Sequence, residues 1–190
     1  MRCLFTGAVF VATLWTATGR AIAADAAQPV LVVHLQVNEK IRPEELLTAT
    51  RTVSEAFAAV GVRLVWATGH ARLAPADGCF HADVVILNES LSRADGSRAT
   101  EFGKANAQMR RATIYYPRIR AHPGTTGSRP ARLLALVLTH ELGHLVLGEG
   151  SHARSGVMGP RWRGRIVFVP GFTKDESTKI RERLQTWIQN

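Results

Sequence analysis

The chain has 190 residues, of which 46% are hydrophobic and 21% charged, a composition typical of a single globular domain with a sizeable core. Its formal net charge of +9 favours anionic partners such as cell-wall polymers or lipid headgroups, unless the basic surface serves solubility alone. The arginines are scattered and not interleaved with aromatic residues, which argues against nucleic-acid binding.

The N-terminus has the pattern of a secretory signal peptide. A positive charge precedes an apolar run, and the small residues at 21–23 fit a cleavage site before Ala24. We therefore expect a signal peptide at 1–23 and one domain at 24–190, exported to the periplasm or secreted. The alternative is an uncleaved membrane anchor, although the run is short and rich in threonine. Signal removal leaves Cys79 as the one cysteine, so no internal disulfide is expected.

The first half of the domain carries strand and helix patterns in turn. Residues 29–37 alternate and are rich in β-branched side chains, which predicts a strand. A helix is predicted over 43–61, because a proline and two acids open it and a glycine ends it. Strands follow at 62–67 and, after a loop at 69–82, at 83–88, where a continuous apolar run indicates a central, covered position. The predicted apolar face of the helix consists of Leu46, Thr50, Val53, Phe57 and Val60.

The second half begins with less regular sequence. A short edge strand is predicted at 100–105 and a clearer strand at 112–117, followed by a loop at 118–128 that carries glycine and proline. Ser128 is a plausible N-cap for the next helix, with Pro130 in its first turn.

That helix ends at Gly148 and is apolar nearly all round, so we expect it to be buried. The last helix opens with a capping box formed by Thr173 and Glu176. An apolar stripe of Ile180, Leu184 and Ile188 follows it. These elements predict one α+β domain with helices packed on a mixed sheet.

The buried helix carries the segment HELGH at 140–144. Residues four apart lie on one face of a helix, so His140 and His144 can direct their imidazoles at one ion. Neutral imidazoles suit zinc, and Glu141 would lie beside the ion as a general base toward its water. The alternative is a pair of core histidines that bind backbone carbonyls. However, burying two histidines and a glutamate in an apolar helix is costly without a partner, and a metal ion would supply one.

A third ligand is needed, and it lies beyond the helix. Glycines at 148 and 150 allow the chain to fold back, so that His152 can reach the ion. Glu149 is a rival oxygen ligand, but it lies at the turn itself and is expected to point outward.

Taken together, HELGHLVLGEGSH followed by ARSGVM resembles the metzincin zinc peptidases. The resemblance implies that His140, His144 and His152 are zinc ligands and that Glu141 is the general base. It also implies that Met158, in a turn helped by Gly156, is the hydrophobic floor under the metal. The spacing departs from the family pattern, because the glycine stands eight residues and the third histidine twelve residues after the first histidine, two more than usual for the histidine.

The resemblance implies a zincin/metzincin-like α+β fold. This fold has a mixed twisted sheet, an active-site helix, a long helix packed on the sheet and a C-terminal helix. The cofactor would be Zn²⁺, the activity peptide-bond hydrolysis, and the partner a peptide or protein substrate bound by a monomer. The peptide would lie antiparallel along an edge strand through main-chain hydrogen bonds. The candidate strand residues are Glu101, Phe102, Gly103, Lys104 and Ala105.

Two other function classes remain open. One is a zinc-bearing module that binds peptide or cell wall without turnover, although such a module has no need of Glu141. The other is a metal-free structural protein with a basic surface. The remaining histidines, at 34, 70, 81 and 122, are expected to be surface or hydrogen-bonded residues. His122 is also a candidate for stabilising the oxyanion.

Overall fold

Five strands form one sheet in the computed structural model, which describes residues 28–68, 78–123, 129–160 and 168–189. In chain order the strands are β1 (Val30–Val37), β2 (Arg63–Thr68), β3 (Phe80–Leu87), β4 (Gly103–Asn106) and β5 (Arg111–Tyr115). Their order across the sheet is β2-β1-β3-β5-β4. All neighbouring pairs are parallel except β4 with β5, which is antiparallel. The sheet is therefore mixed but mostly parallel, and β4 lies at an edge.

The prediction for β3 was right about its central place and wrong about its start. The strand begins at Phe80, three residues before the predicted start, because Phe80 packs edge-on against Trp187 and Ala82 faces the core. Its side chains alternate between buried and half-buried. One face of β3 therefore contributes to the core, and the other is only partly covered, despite the continuous apolar run.

The predicted edge strand is present, but its bounds differ. β4 begins three residues later than predicted and ends one residue later. Residues 98–101 form a turn instead, closed by a 3.0 Å bond from the backbone N–H of Glu101 to the carbonyl of Arg98. The guanidinium of Arg118 then binds both of their carbonyls, at 2.8 and 2.6 Å. These carbonyls are satisfied by a side chain and need no strand partner.

Five helices occur among the described residues. They are α1 (Pro43–Ala58), α2 (Glu89–Ala94), α3 (Tyr116–Ala121), α4 (Arg129–Leu147) and α5 (Lys174–Gln189). The sequence predictions missed the two shortest. The side chain of Asn88 caps α2 by accepting the backbone N–H of Leu91 at 3.0 Å. α3 follows β5 directly with proline in its first turn, so the predicted strand at 112–117 was too long, and residues 118–121 are helical where a loop was predicted.

The buried face of α1 differs from the predicted face only in its first half. It consists of Glu45, Ala49, Val53 and Phe57, while Leu46 and Thr50 are only half-buried; Val53, Phe57 and Val60 are buried as predicted. The difference buries a carboxylate whose two oxygens both have partners: Tyr116 donates its hydroxyl to Glu45 Oε1 at 2.6 Å, and Arg42 donates to Oε2 at 3.3 Å. An apolar pattern cannot show that a distant residue makes a buried acid acceptable.

The remaining helices were predicted well. α4 is buried, has Pro130 in its first turn and packs against α1, α5 and β4. The capping box of α5 is confirmed: the backbone N–H of Thr173 donates to Glu176 at 2.6 Å, and Thr173 Oγ1 accepts the N–H of Glu176 at 3.4 Å. Ile180 and Leu184 are buried as expected.

Arginines of α5 also bind the carboxyl ends of two other helices. Arg181 donates to the Val60 carbonyl at 3.4 Å, and Arg183 donates to the Val146 carbonyl at 3.1 Å. The terminal carbonyls of a helix lack partners within it, so these guanidinium groups fix α5 against the ends of α1 and α4.

Several sequence predictions lie outside the described residues. They concern the signal peptide at 1–23, most of the loop at 69–82 with His70, the cap at Ser128 and the side chain of Ile188. Cys79 is described, and it is a free, half-buried thiol. No helix within the described ranges is both long and apolar enough to cross a membrane.

Candidate metal centre

Three histidines meet at the carboxyl end of α4. His140 and His144 lie one turn apart on the same face, 6% and 8% exposed. After α4 the chain bends at Gly148 (φ 92°) and Gly150 (φ 75°), which are left-handed conformations that favour glycine. The bend returns His152, which is exposed, to the other two rings. The longer spacing in this chain is therefore absorbed by two glycine turns.

The ring nitrogens converge at a distance that suits a metal ion. Nε2 of His144 lies 3.0 Å from Nε2 of His140 and 3.2 Å from Nε2 of His152. Two nitrogens bound tetrahedrally to zinc at about 2.0–2.1 Å would be about 3.3 Å apart. Among the described residues these three histidines form the group of donors able to hold a metal, and Glu149 is not part of it.

The hydrogen-bond partners of the two Nδ1 atoms determine which ring nitrogen of His140 and of His144 carries the hydrogen. Nδ1 of His140 lies 2.8 Å from the Val157 carbonyl, which can only accept, so Nδ1 carries the hydrogen. Nδ1 of His144 lies 3.0 Å from Oγ of Ser151, whose own hydrogen goes to the Gly148 carbonyl at 2.7 Å. Both Nε2 atoms therefore present lone pairs to each other. Two acceptors 3.0 Å apart repel unless a cation lies between them, and these residues therefore fit a zinc ion.

A proton is a poor candidate for that cation. Burial lowers the pKa of His140 from 6.5 to about 4 against the opposing effect of the Val157 carbonyl, and the neighbouring histidines make smaller contributions in the same direction as burial. Burial also lowers the pKa of His144, with His152 acting in the same direction. Both rings are neutral near pH 7, which is the form that binds metal.

Glu141 is the buried acid beside the three rings. It is 6% exposed, and burial, together with the charge of Glu101, raises its pKa from 4.5 to about 8. Gly103 of β4 packs directly on it: a Cβ there would lie 2.9 Å from both Cγ and Oε1 of Glu141. The edge strand therefore fixes the position of this carboxylate, and only glycine leaves it room.

Met158 follows the third histidine by six residues and is fully buried. Its sulfur packs against Gly143, so closely that a Cβ at that position would overlap it. The turn that carries it bends at Gly156 (φ 80°), where a Cβ would also lie 2.9 Å from the Gly171 carbonyl. The turn at Gly156 is thus present, and a side chain at either glycine would make its neighbours move. The role of Met158 as the floor of the site stays a prediction.

An open cavity of about 680 Å³ runs along β4 to the three histidines. Its wall includes all five residues of the predicted substrate strand. Glu141, Glu149 and the three rings also line it. Arg118 holds the turn that leads into this wall, because it binds the carbonyls of Arg98 and Glu101. The same guanidinium donates to Ser97 at 3.0 Å and stacks over Tyr115 at 4.2 Å.

The other described histidines lie apart from the group. Nε2 of His34 and Nδ1 of His81 are 2.9 Å apart in stacked rings on the sheet. His122 packs edge-on against Phe102, with ring centroids 5.5 Å apart, next to the cavity but not in its lining. Sequence reasoning did not find the roles of Ser151, Gly143 and Arg118. Of these three residues, only Ser151 could have been noticed in the sequence, because it follows Gly150 and directly precedes His152.

No protein-family model matches the chain, and no curated protein does. Among solved structures, the chain is similar to archaemetzincin from Methanopyrus kandleri, at 16% identity and a TM-score of 0.54, over 86% of this chain and 99% of that one. It also matches a zinc-dependent peptidase from Methanocorpusculum labreanum, at 14% identity and a TM-score of 0.44, over 80% and 99% of the two chains. The first likeness shows that the chain shares the fold of archaemetzincin.

Proposed function

We propose that the chain is a zinc-dependent endopeptidase of metzincin-like type. His140, His144 and His152 would hold the zinc ion, Glu141 would be the general base and Met158 the floor of the site. One observation supports this most: two buried, neutral imidazoles present lone pairs to each other at 3.0 Å, with a third at 3.2 Å, beside a buried carboxylate. The fold shared with archaemetzincin agrees with the proposal.

When bound, zinc would polarise the scissile carbonyl and make the attacking water more acidic. Glu141 lies next to the cluster, where it would take a proton from that water and pass it to the leaving amine. Its raised pKa describes the carboxyl without a cation at its side. A nearby positive charge favours the ionised form, which is the form that acts as a base.

The substrate would be an extended peptide laid along β4. Among the described residues this strand pairs only with β5, so its other side can take main-chain hydrogen bonds from a peptide. Main-chain pairing would involve residues 102–105, which line the cavity together with Glu101 up to the histidines. Glu101 would contact the peptide through its side chain, because its N–H and carbonyl are bound to Arg98 and Arg118. We further propose, from the N-terminal sequence, that the protein acts outside the cytoplasm, with anionic surface polymers as possible neighbours.

The test is metal analysis of purified protein, followed by digestion of a mixed peptide library with wild type and Glu141→Gln. The proposal expects one bound zinc, cleavage by wild type, and loss of cleavage with zinc retained in the variant. Zinc without cleavage but with peptide binding would point to a binding module. A stable protein that binds no zinc would point to a metal-free structural role.

A further inference from the structure

The hydroxyl of Ser151 lies between the end of α4 and the ring of His144. We propose that Ser151 is a positioning residue that holds His144 in the one tautomer able to bind a metal ion. This inference rests on the proposed function, because the tautomer of His144 matters for function only if its ring binds a metal ion. The contacts that carry it belong to this chain's own turn, which is two residues longer than the family pattern.

The direction of the two hydrogen bonds sets the tautomer. A serine hydroxyl has a single hydrogen, and in Ser151 it points to the Gly148 carbonyl at 2.7 Å. The Gly148 carbonyl directly follows the end of α4, where helix carbonyls lack partners within the helix, and Ser151 supplies its hydrogen-bond donor. Only lone pairs of the oxygen then face Nδ1 of His144 at 3.0 Å. Nδ1 must donate, and Nε2 is left unprotonated.

Without the serine, a competing arrangement becomes available. His144 could carry its hydrogen on Nε2 and donate it to Nε2 of His140 across the 3.0 Å gap. His140 is already an acceptor there, because the Val157 carbonyl holds its hydrogen on Nδ1. The two buried histidines would then satisfy each other, and a metal ion would have to break that bond. Ser151 disfavours this closed pair and keeps both lone pairs open.

The same short segment contacts both nitrogens of the His144 ring. Ser151 binds Nδ1 and its neighbour His152 approaches Nε2 at 3.2 Å. The left-handed glycines at 148 and 150 place residue 151 seven positions after His144 yet against its ring. The extended turn thus supplies both a proposed ligand and the group that orients another ligand.

The first measurement is zinc affinity, by competition with a chromophoric chelator, for wild type, Ser151→Ala, Ser151→Thr and the control Ser155→Ala. Ser155 is an exposed serine four residues further along the chain. Loss of a group that orients a ligand typically weakens metal binding by about 10–100-fold. We expect that loss in Ser151→Ala, near wild-type affinity in Ser151→Thr, which keeps the hydroxyl, and no change in Ser155→Ala.

The second measurement is the tautomer itself, from imidazole ¹⁵N–¹H spectra of the zinc-free protein. We expect His144 of wild type to be protonated on Nδ1, and a shift toward Nε2 protonation in Ser151→Ala. A loss of stability alone would lower the melting temperature without changing the tautomer.

Wild-type zinc affinity in a folded Ser151→Ala protein, or a wild-type His144 protonated on Nε2, would overturn the inference. A wild-type protein that binds no zinc would instead defeat the proposed function. The spectra of that same zinc-free protein would still decide whether Ser151 sets the tautomer.

Discussion

The buried carboxyl of Glu141 should give the zinc-free protein an unusual dependence of stability on pH. Its pKa is raised from 4.5 to about 8, mainly by burial. Between these values the folded protein keeps a proton that the unfolded chain releases. A raised pKa contributes stability that is fully present at low pH and is lost as the pH rises through the folded pKa. The zinc-free protein should therefore become less stable from neutral to mildly alkaline pH.

The size of the effect follows from the window in which it acts. Each pH unit between the two pKa values corresponds to about 1.4 kcal/mol, so the titration of Glu141 should lower the free energy of unfolding by about 2 kcal/mol from pH 6.5 to pH 9. The lowered pKa values of His140, His144 and His81 work in the opposite direction near the lower edge of this window, because the unfolded imidazoles, with a pKa of 6.5, still bind protons there. These histidines contribute about equally in wild type and in a variant of Glu141, so the difference between the two proteins isolates the carboxyl. The other shifted groups among the described residues titrate outside the window.

The assay is urea unfolding of zinc-free protein at several pH values, for wild type, Glu141→Gln and Glu149→Gln. The amide at 141 has nearly the shape of the carboxyl but does not titrate, so wild type should lose about 2 kcal/mol more than Glu141→Gln between pH 6.5 and 9. Glu149 lines the same cavity but is exposed, so its variant should keep the wild-type slope. An equal pH dependence of the free energy of unfolding in wild type and Glu141→Gln would refute the reasoning, as would a wild type that loses less stability than the variant across this window.

Three further predictions test contacts around the site. Gly103→Ala places a methyl group 2.9 Å from Oε1 of Glu141. We expect kcat to fall by about tenfold or more with zinc retained, in steady-state kinetics and metal analysis. Gly143→Ala makes the sulfur of Met158 move, and the cost should be about 1–3 kcal/mol of unfolding free energy in urea titrations. Arg118→Met frees the turn that enters β4, so KM for peptides should rise more than kcat falls.

Each of these substitutions has a matched control. Gly171→Ala serves both glycine variants, because a Cβ at that position meets nothing within 4 Å. Arg93→Met removes an exposed arginine that pairs with Glu89 on α2 and does not contact the turn before β4. Three results would contradict the roles given to these contacts. They are an unchanged kcat in Gly103→Ala, wild-type stability in Gly143→Ala and an unaltered KM in Arg118→Met.

Two of the mistakes in the predicted elements share a physical origin. The buried face of α1 includes Glu45, whose Oε1 accepts the hydroxyl of Tyr116, far along the chain. The predicted start of β4 failed because Arg118 takes the carbonyls of the preceding turn. In both cases a group from a distant segment supplied the partner that a buried polar atom needs, and hydrophobic periodicity carries no record of such partners.

The sequence by itself determined the features that depend on near neighbours. Helix periodicity puts His140 and His144 on one face, and glycines at 148 and 150 permit the turn that brings back His152. Alternation and β-branched residues marked the central strands, and the capping box marked the start of α5. These features are local because they arise from backbone geometry over one or two turns.

The tertiary structure decided everything that joins distant segments. The sheet order places Gly103 of β4 against Glu141 of α4, and the turn after α4 directs the hydroxyl of Ser151 to the ring of His144. Side-chain direction and proton position follow from which atoms face each other after folding. The residue types in this site can therefore be read from the chain, whereas the tautomers, the buried pKa values and the walls of the cavity exist only once it has folded.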